Sequence, residues 1–373
     1  MSSIDPGATA GIPGDRPDSS RVAWVDIAKG WCIVLVVMMH SALGVGLAVG
    51  ETGWLHAIVA FAKPFRMPDF FMVAGLFLGR AIDLPWRIYL DRKAVNFLYF
   101  YALWLLIVLG AKAGELGILA TWPFLAVYAW SFVEPFSSMW FIYLLPFLFV
   151  SVRLAAIWPV PLVLAAASAL HIAAARHPDT GIYVMNSTMT GWIVLDSFSL
   201  YLVYFLIGHY GRTWIFMFVA SVRDQPVIAA GALAAWGLAE SLGVAAGLPE
   251  IPGLTLVFGI AGALAIVAIS ALMAKWNLAP WLAYCGRNSL VIYLAFVLPM
   301  AATRIVLLRT GLVADAGWLS LIVAIAAIGA PLALAAAVRG TRLAFLFTRP
   351  RWAHLPGAAG PAKALRILSG RPP

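Results

Sequence analysis

Ten apolar runs, most of them near 20 residues long and parted by short polar segments, limit this chain more than any other feature in it. A helix needs about 20 residues to cross the ~30 Å of hydrocarbon in a bilayer. The runs lie near 24–48, 56–78, 94–111, 138–152, 155–175, 190–210, 227–247, 253–274, 288–308 and 317–338. Inside hydrocarbon each backbone N–H and C=O must find its partner within the segment, so these runs are expected to be helices. The expected fold class is an all-α integral membrane protein with about ten transmembrane helices. Composition removes the soluble alternative. Only 11% of the 373 residues are charged, against about 25% in soluble domains. Sixteen Trp suit two interfacial belts. The stretch 117–133 is also apolar, but Pro123 and Glu134-Pro135 interrupt it, and a re-entrant or interfacial element is expected there.

A net charge of +9 raises the question of nucleic acid, but the basic residues sit singly or in small groups between apolar runs, where they orient helices. With the first residue on the inner side, 19 of the 25 Lys and Arg fall on that side. Four (Lys112, Arg176, Arg304 and Arg309) fall on the other, and Lys63 and Arg66 lie within a span. The positive-inside rule then predicts both termini inside. Residues 1–20, rich in Pro, Gly, Asp and Ser, read as a disordered cytoplasmic lead-in. Residues 21–340 read as the membrane domain and 341–373 as a basic cytoplasmic tail. The apolar run after Trp24 is too long for the core of a signal peptide and is expected to stay as the first helix. Cys32 and Cys285 form neither a disulfide framework nor a metal-ligand spacing.

The informative residues are ionisable groups at membrane depth, which cost several kcal/mol unless paired or hydrated. In the first run Asp26 and Lys29 are spaced to pair, and His40 follows Lys29 by eleven residues. Eleven residues return to within about 20° of the same helix face and advance ~16 Å. Two charges at one mouth and an imidazole deep inside therefore share one side of one helix. The bland alternative makes Asp26 and Lys29 interfacial anchors and His40 a packing residue. In the second run Pro64 and Pro68 bracket Arg66, with Asp69 three residues beyond it. Such a break is tolerated where backbone lines a cavity. Alternatively Lys63 and Arg66 belong to a loop and the span begins at Pro68, which leaves too few residues to cross. The loop holding Arg87, Arg92 and Lys93 suits either a diphosphate or an ordinary orientation signal. Trp140 and Tyr143 open the fourth run, and Tyr293 lies one turn into the ninth. Walker, nucleophile-elbow, zincin and dinucleotide motifs are missing from the sequence. Intramembrane charges and a broken helix would also suit a secondary transporter, but no repeat relates the two halves and the polar residues gather in the first hundred.

In order, VDIAKGWCIVLVVMMHS (25–41), FRMPDFFMVAGLFL (65–78), YLDRKAVNFLYFYALW (89–104), MWFIYLLPF (139–147) and GRNSLVIYL (286–294) resemble the acyltransferase family 3 proteins. These are polytopic bacterial membrane O-acyltransferases, and the likeness is nearest to fucose-4-O-acetylase-like members. The resemblance implies transfer of an acyl group, by default acetyl, from acyl-CoA (acetyl-CoA) to a hydroxyl of a glycan or lipid-linked sugar, at the bacterial inner (plasma) membrane. It implies His40 as base or transient acyl acceptor with Asp26 in the catalytic set, and Lys29, Arg92 and Lys93 on the CoA phosphates. Arg66 and Asp69 would contact the acceptor or the carbonyl, and Trp140, Tyr143 and Tyr293 would stack on the sugar. Membrane lipids are the remaining expected partners; no nucleic acid and no resident cofactor or metal are expected. Three departures stand out: Lys29 replaces the usual Arg, Val95 occupies the second arginine position of the loop motif, and Ala295 and Phe296 stand where a histidine is common.

Overall fold

The computed structural model describes residues 22–175, 190 and 192–358. The expected disordered lead-in and the tail past residue 358 lie outside the described residues. Among these residues the regular structure is entirely helical. In chain order the helices are α1 (Ala23–Val49), α2 (Trp54–Ala62), α3 (Arg66–Leu76), α4 (Trp86–Leu90), α5 (Asn96–Lys112), α6 (Thr121–Trp130), α7 (Trp140–Ala155) and α8 (Val160–Ala174). There follow α9 (Ile193–Tyr210), α10 (Arg212–Asp224), α11 (Pro226–Ala245), α12 (Leu254–Lys275), α13 (Pro280–Arg287), α14 (Ser289–Ala295), α15 (Val297–Thr310) and α16 (Ala316–Val338). A π-helical turn, Asp91–Val95, joins α4 to α5.

Among the described residues, seven uninterrupted helical stretches are long and apolar enough to cross a membrane, and α14 with α15, bent by 56°, makes an eighth. The fold is thus an all-α membrane architecture with seven or eight candidate spans where ten were expected. The two remaining runs do form helices, but not as single full-length ones. Residues 56–78 are divided into α2 and α3, and 155–175 yields the fifteen-residue α8. Proline explains the divisions. Pro64 has no N–H to continue α2, and the chain crosses 63–65 on short turn-type bonds, Phe65 N–H to Ala62 O at 3.3 Å. Pro299 likewise cannot donate to Ala295, and the bend falls between Ala295 and Val297.

Helix α1 is the axis of the bundle. It packs against α2, α3, α12, α13 and α16, and Ile33 and Val37 are fully buried. Lipid is as apolar as leucine, so helices in it associate through close packing at small residues. Gly30 of α1 lies against the Leu282 carbonyl of α13, and Gly286 of α13 lies against the Asp26 carbonyl of α1. A reciprocal pair seats α3 on α9, Gly75 on the Phe205 carbonyl and Gly208 on the Met72 carbonyl. Helix α1 also packs directly on α3, which brings residues of the two helices together. We call the end of the bundle that holds the first turn of α1 the basic end.

Three segments differ from a plain loop reading. The stretch expected to be re-entrant or interfacial contains α6, a ten-residue helix with no buried residue. Residues 212–224, between two spans, form α10, which buries Ile215, Val219 and Val222 and leaves Trp214 74% exposed. A one-sided helix of this kind suits a membrane interface. Finally, the part of the tail up to residue 358 folds back on the bundle. The Phe347 ring packs on Trp104, whose Nε1 donates to Leu346 O at 2.9 Å, and Tyr99 Oη donates to Phe345 O at 3.1 Å.

Candidate active site

The site is built on α1. Lys29 is half-buried near the basic end, with its Nζ 4.8 Å from the centre of the Phe77 ring. Lys93, on the π turn, places its Nζ 4.6 Å from the Phe149 ring. The charges of Lys29 and Arg92 both bear on Lys93, so the three cations expected to act together do converge. Aromatic faces favour cations desolvated in this way.

One turn further in, Cys32 Sγ donates to Asp69 Oδ2 at 2.9 Å. Both side chains are 1% exposed, and Asp69 Oδ1 has no hydrogen-bond partner. The carboxylate of α3 is thus turned toward α1, between the levels of Lys29 and His40. Cysteine as its donor was not anticipated from the sequence, because nothing in residue spacing relates positions 32 and 69.

Deeper still stands His40. The residues from Cys32 to Val37 are buried, but Met38, Met39 and His40 regain accessible surface in mid-helix. The imidazole lies 5.3 Å from the Phe296 ring, centre to centre, and the charges of Arg66 and Lys112 act on it. Arg66 is 9% exposed at the first turn of α3. The bend at Pro299 sets Phe296 against His40. Sequence reading located neither the bend nor Lys112 as a neighbour of the imidazole, although Pro299 was the available signal.

Other expected residues stand elsewhere. Asp26 precedes His40 by fourteen residues of continuous helix, ~21 Å along the axis, so the two cannot act on one atom; Asp26 belongs to the basic end. Tyr143 is buried, its hydroxyl donating to Phe132 O at 2.5 Å and its ring tilted on Tyr101. Tyr293 is buried as well; its hydroxyl donates to Ser138 O at 2.5 Å and accepts the Ile142 N–H at 3.4 Å. Both tyrosines are thus packed inside the bundle with their hydroxyls occupied. Trp140 is half-buried and stacks on Tyr201, centroids 5.7 Å apart. A cavity of about 150 Å³ lies at the 63–65 break and is lined by Lys63, Pro64, Pro68, His171, Tyr201 and Glu250 among others. It is on the side of α3 that meets α9, away from α1, and His40 does not line it.

Lys29 and His40 on α1, Asp69 brought to α1 from α3, and the cations of the π turn lie within one all-α bundle whose helices are long and apolar enough to span a membrane several times. A family model described as an acyltransferase domain matches residues 22–339, and the chain belongs to that family, acyltransferase family 3. The chain is accordingly a membrane protein of an acyltransferase family. It is similar to the inner membrane protein YcfT of Escherichia coli (strain K12), with 34% identity over 91 residues that cover 21% of this chain and 25% of YcfT. The chain thus spans about a quarter of the length of that curated relative. No solved structure matches the chain.

Proposed function

We propose that this acyltransferase takes an acyl group, acetyl by default, from acyl-CoA at the basic end and delivers it to a hydroxyl of a sugar or cell-surface glycan, with His40 as the base. The observation that carries this is the single face of α1 that bears Lys29 and, ~16 Å deeper, His40, with Lys93 near enough to Lys29 to feel its charge. Lys29, Arg92 and Lys93 hold the phosphates of CoA, and the flexible pantetheine arm is long enough to bring the thioester to the level of His40. Asp69 Oδ1, buried and without a donor, lies beside that path and accepts an amide N–H of the arm.

A sugar hydroxyl is a weak nucleophile at neutral pH and needs a positioned base. His40 removes the hydroxyl proton as the oxygen attacks the thioester carbonyl. The tetrahedral carbon then expels the CoA sulfur as its C–S bond breaks, and His40 returns the proton to that sulfur, leaving an ester and free CoA. Arg66 stands where a developing oxyanion needs a positive charge. The basic end is the cytoplasmic side of a bacterial inner membrane in this reading, because the positive-inside rule and the location of acyl-CoA agree there.

The test uses purified protein in lipid nanodiscs with radiolabelled acetyl-CoA, wild type beside His40→Ala. Loss of at least ~100-fold in CoA release, the usual scale for a missing general base, with binding retained, is the expected outcome. Absence of binding to acetyl-, succinyl- and longer acyl-CoA would end the reading.

A further inference from the structure

The segment that follows α16 lies beyond the part of the chain matched by the family model, residues 22–339, yet it reaches back to the turn that carries Arg92 and Lys93. Four contacts converge on Asp91. Arg349 Nη2 donates to Asp91 Oδ2 at 2.6 Å, and Arg349 Nη1 donates to the Asp91 backbone O at 2.9 Å. The backbone N–H of Leu355 donates to Asp91 Oδ1 at 2.7 Å, and His354 Nδ1 stands 3.0 Å from Oδ2. The same nitrogen is 2.7 Å from Arg349 Nη2. It either accepts from the guanidinium or, when protonated, donates to the carboxylate. The ion pair is sealed, with Arg349 and Asp91 side chains 5% and 4% exposed. Phe347 and Leu346 on Trp104 anchor the segment from one side.

Asp91 opens the π turn Asp91–Val95, and the next two residues are the cations themselves. A π turn is rare and occurs mostly as a single turn within α-helices, frequently at functional sites. A carboxylate one residue from Arg92 is also the natural competitor of a phosphate for those cations. Here both of its oxygens and its backbone carbonyl are claimed by the strap. We propose that Arg349 and His354 are positioning residues of the donor site. The C-terminal strap neutralises Asp91 and holds the π turn so that Arg92 and Lys93 face the mouth as an uncompensated positive pair. This rests on the assignment of those cations to the CoA phosphates.

The experiment uses the full chain in nanodiscs and reads two quantities: the Kd of adenosine 3′,5′-bisphosphate, which probes the phosphate site alone, and the KM and kcat for acetyl-CoA. Arg349→Met is expected to raise Kd and KM together by about tenfold, the scale seen when a group that orients a binding residue is removed, while kcat at saturation stays within about twofold of wild type. Arg349→Lys, which keeps the charge but loses the two-pronged fork, is expected to fall between. A role confined to holding the fold would lower the thermal midpoint and leave Kd of the folded protein unchanged. Should Arg349→Met fail to fold, His354→Ala carries the test, since that side chain is 34% exposed and its loss leaves the ion pair in place; a smaller rise in the same two parameters is expected. Folded Arg349 and His354 variants that all bind the bisphosphate within about twofold of wild type overturn the proposal. Lys93→Gln separates the two readings. If it also leaves Kd unchanged, the donor-site assignment is wrong; if it alone weakens binding, only the strap's role is.

Discussion

The α3–α9 crossing yields a prediction that depends on the fold alone. An added Cβ at Gly75 would meet the Phe205 carbonyl oxygen, and one at Gly208 the Met72 carbonyl, both well inside the 3.0 Å below which real Cβ contacts are essentially never found. Both obstacles are backbone, so neither can rotate away; the two helices must part by roughly 1.5–2 Å to restore ordinary contact at ~3.5–4.0 Å. A gap of only ~0.5–1 Å already forfeits about a quarter to a half of the dispersion attraction across a contact, and this one is larger. No hydrophobic term in lipid replaces it. Each single Gly→Ala change should therefore cost ~1–3 kcal/mol, as overpacking does. The reciprocity adds a sharper expectation. Once Gly75→Ala has opened the crossing, Gly208→Ala meets less obstruction, so the double variant should cost less than the sum of the singles by at least ~0.5 kcal/mol. Reversible unfolding in mixed SDS and maltoside micelles, followed by tryptophan fluorescence, measures all three differences. Single variants within 0.5 kcal/mol of wild type, or strict additivity, would refute the interlocked geometry.

Two further outcomes follow from single contacts. Cys32→Ser keeps a donor to Asp69 and should leave the unfolding midpoint and the transfer rate near wild type, whereas Cys32→Val strips the buried carboxylate of that donor and should destabilise by ~1–3 kcal/mol; equal behaviour of the two variants would show that the thiol is mere filling. Pro299→Ala restores the missing N–H, allows α14 and α15 to straighten, and should gain up to ~3 kcal/mol of helix stability while drawing Phe296 away from His40 and lowering the rate of acyl transfer. A variant that is stabilised yet fully active would detach the bend from catalysis.

What the sequence made legible here followed from local rules, and what it hid was relational. Apolar run length and the 3.6-residue repeat depend on neighbours in the chain, which is why α1 and the Lys29-to-His40 spacing could be read directly. Helix breaks were legible wherever proline was weighed: Pro64 was, and Pro299 was not, although the same missing N–H divides both helices. The burial of Tyr143 and Tyr293 was not legible, because exposure of an aromatic face cannot be inferred from residue type; each hydroxyl meets a backbone carbonyl distant in sequence. The tail was read as a charged extension because Arg349 and Arg351 resemble any basic end. Only the fold shows that Asp91, 258 positions earlier, takes Arg349 as its partner. A buried carboxylate without a cation is strongly destabilising, so an acidic residue beside two basic ones in an otherwise apolar stretch is itself a signal that a cation arrives from elsewhere. Asp69 carries a related implication at greater depth: its Oδ1 lacks a donor in the folded chain, and the proposed function assigns a polar atom of the acyl donor to it.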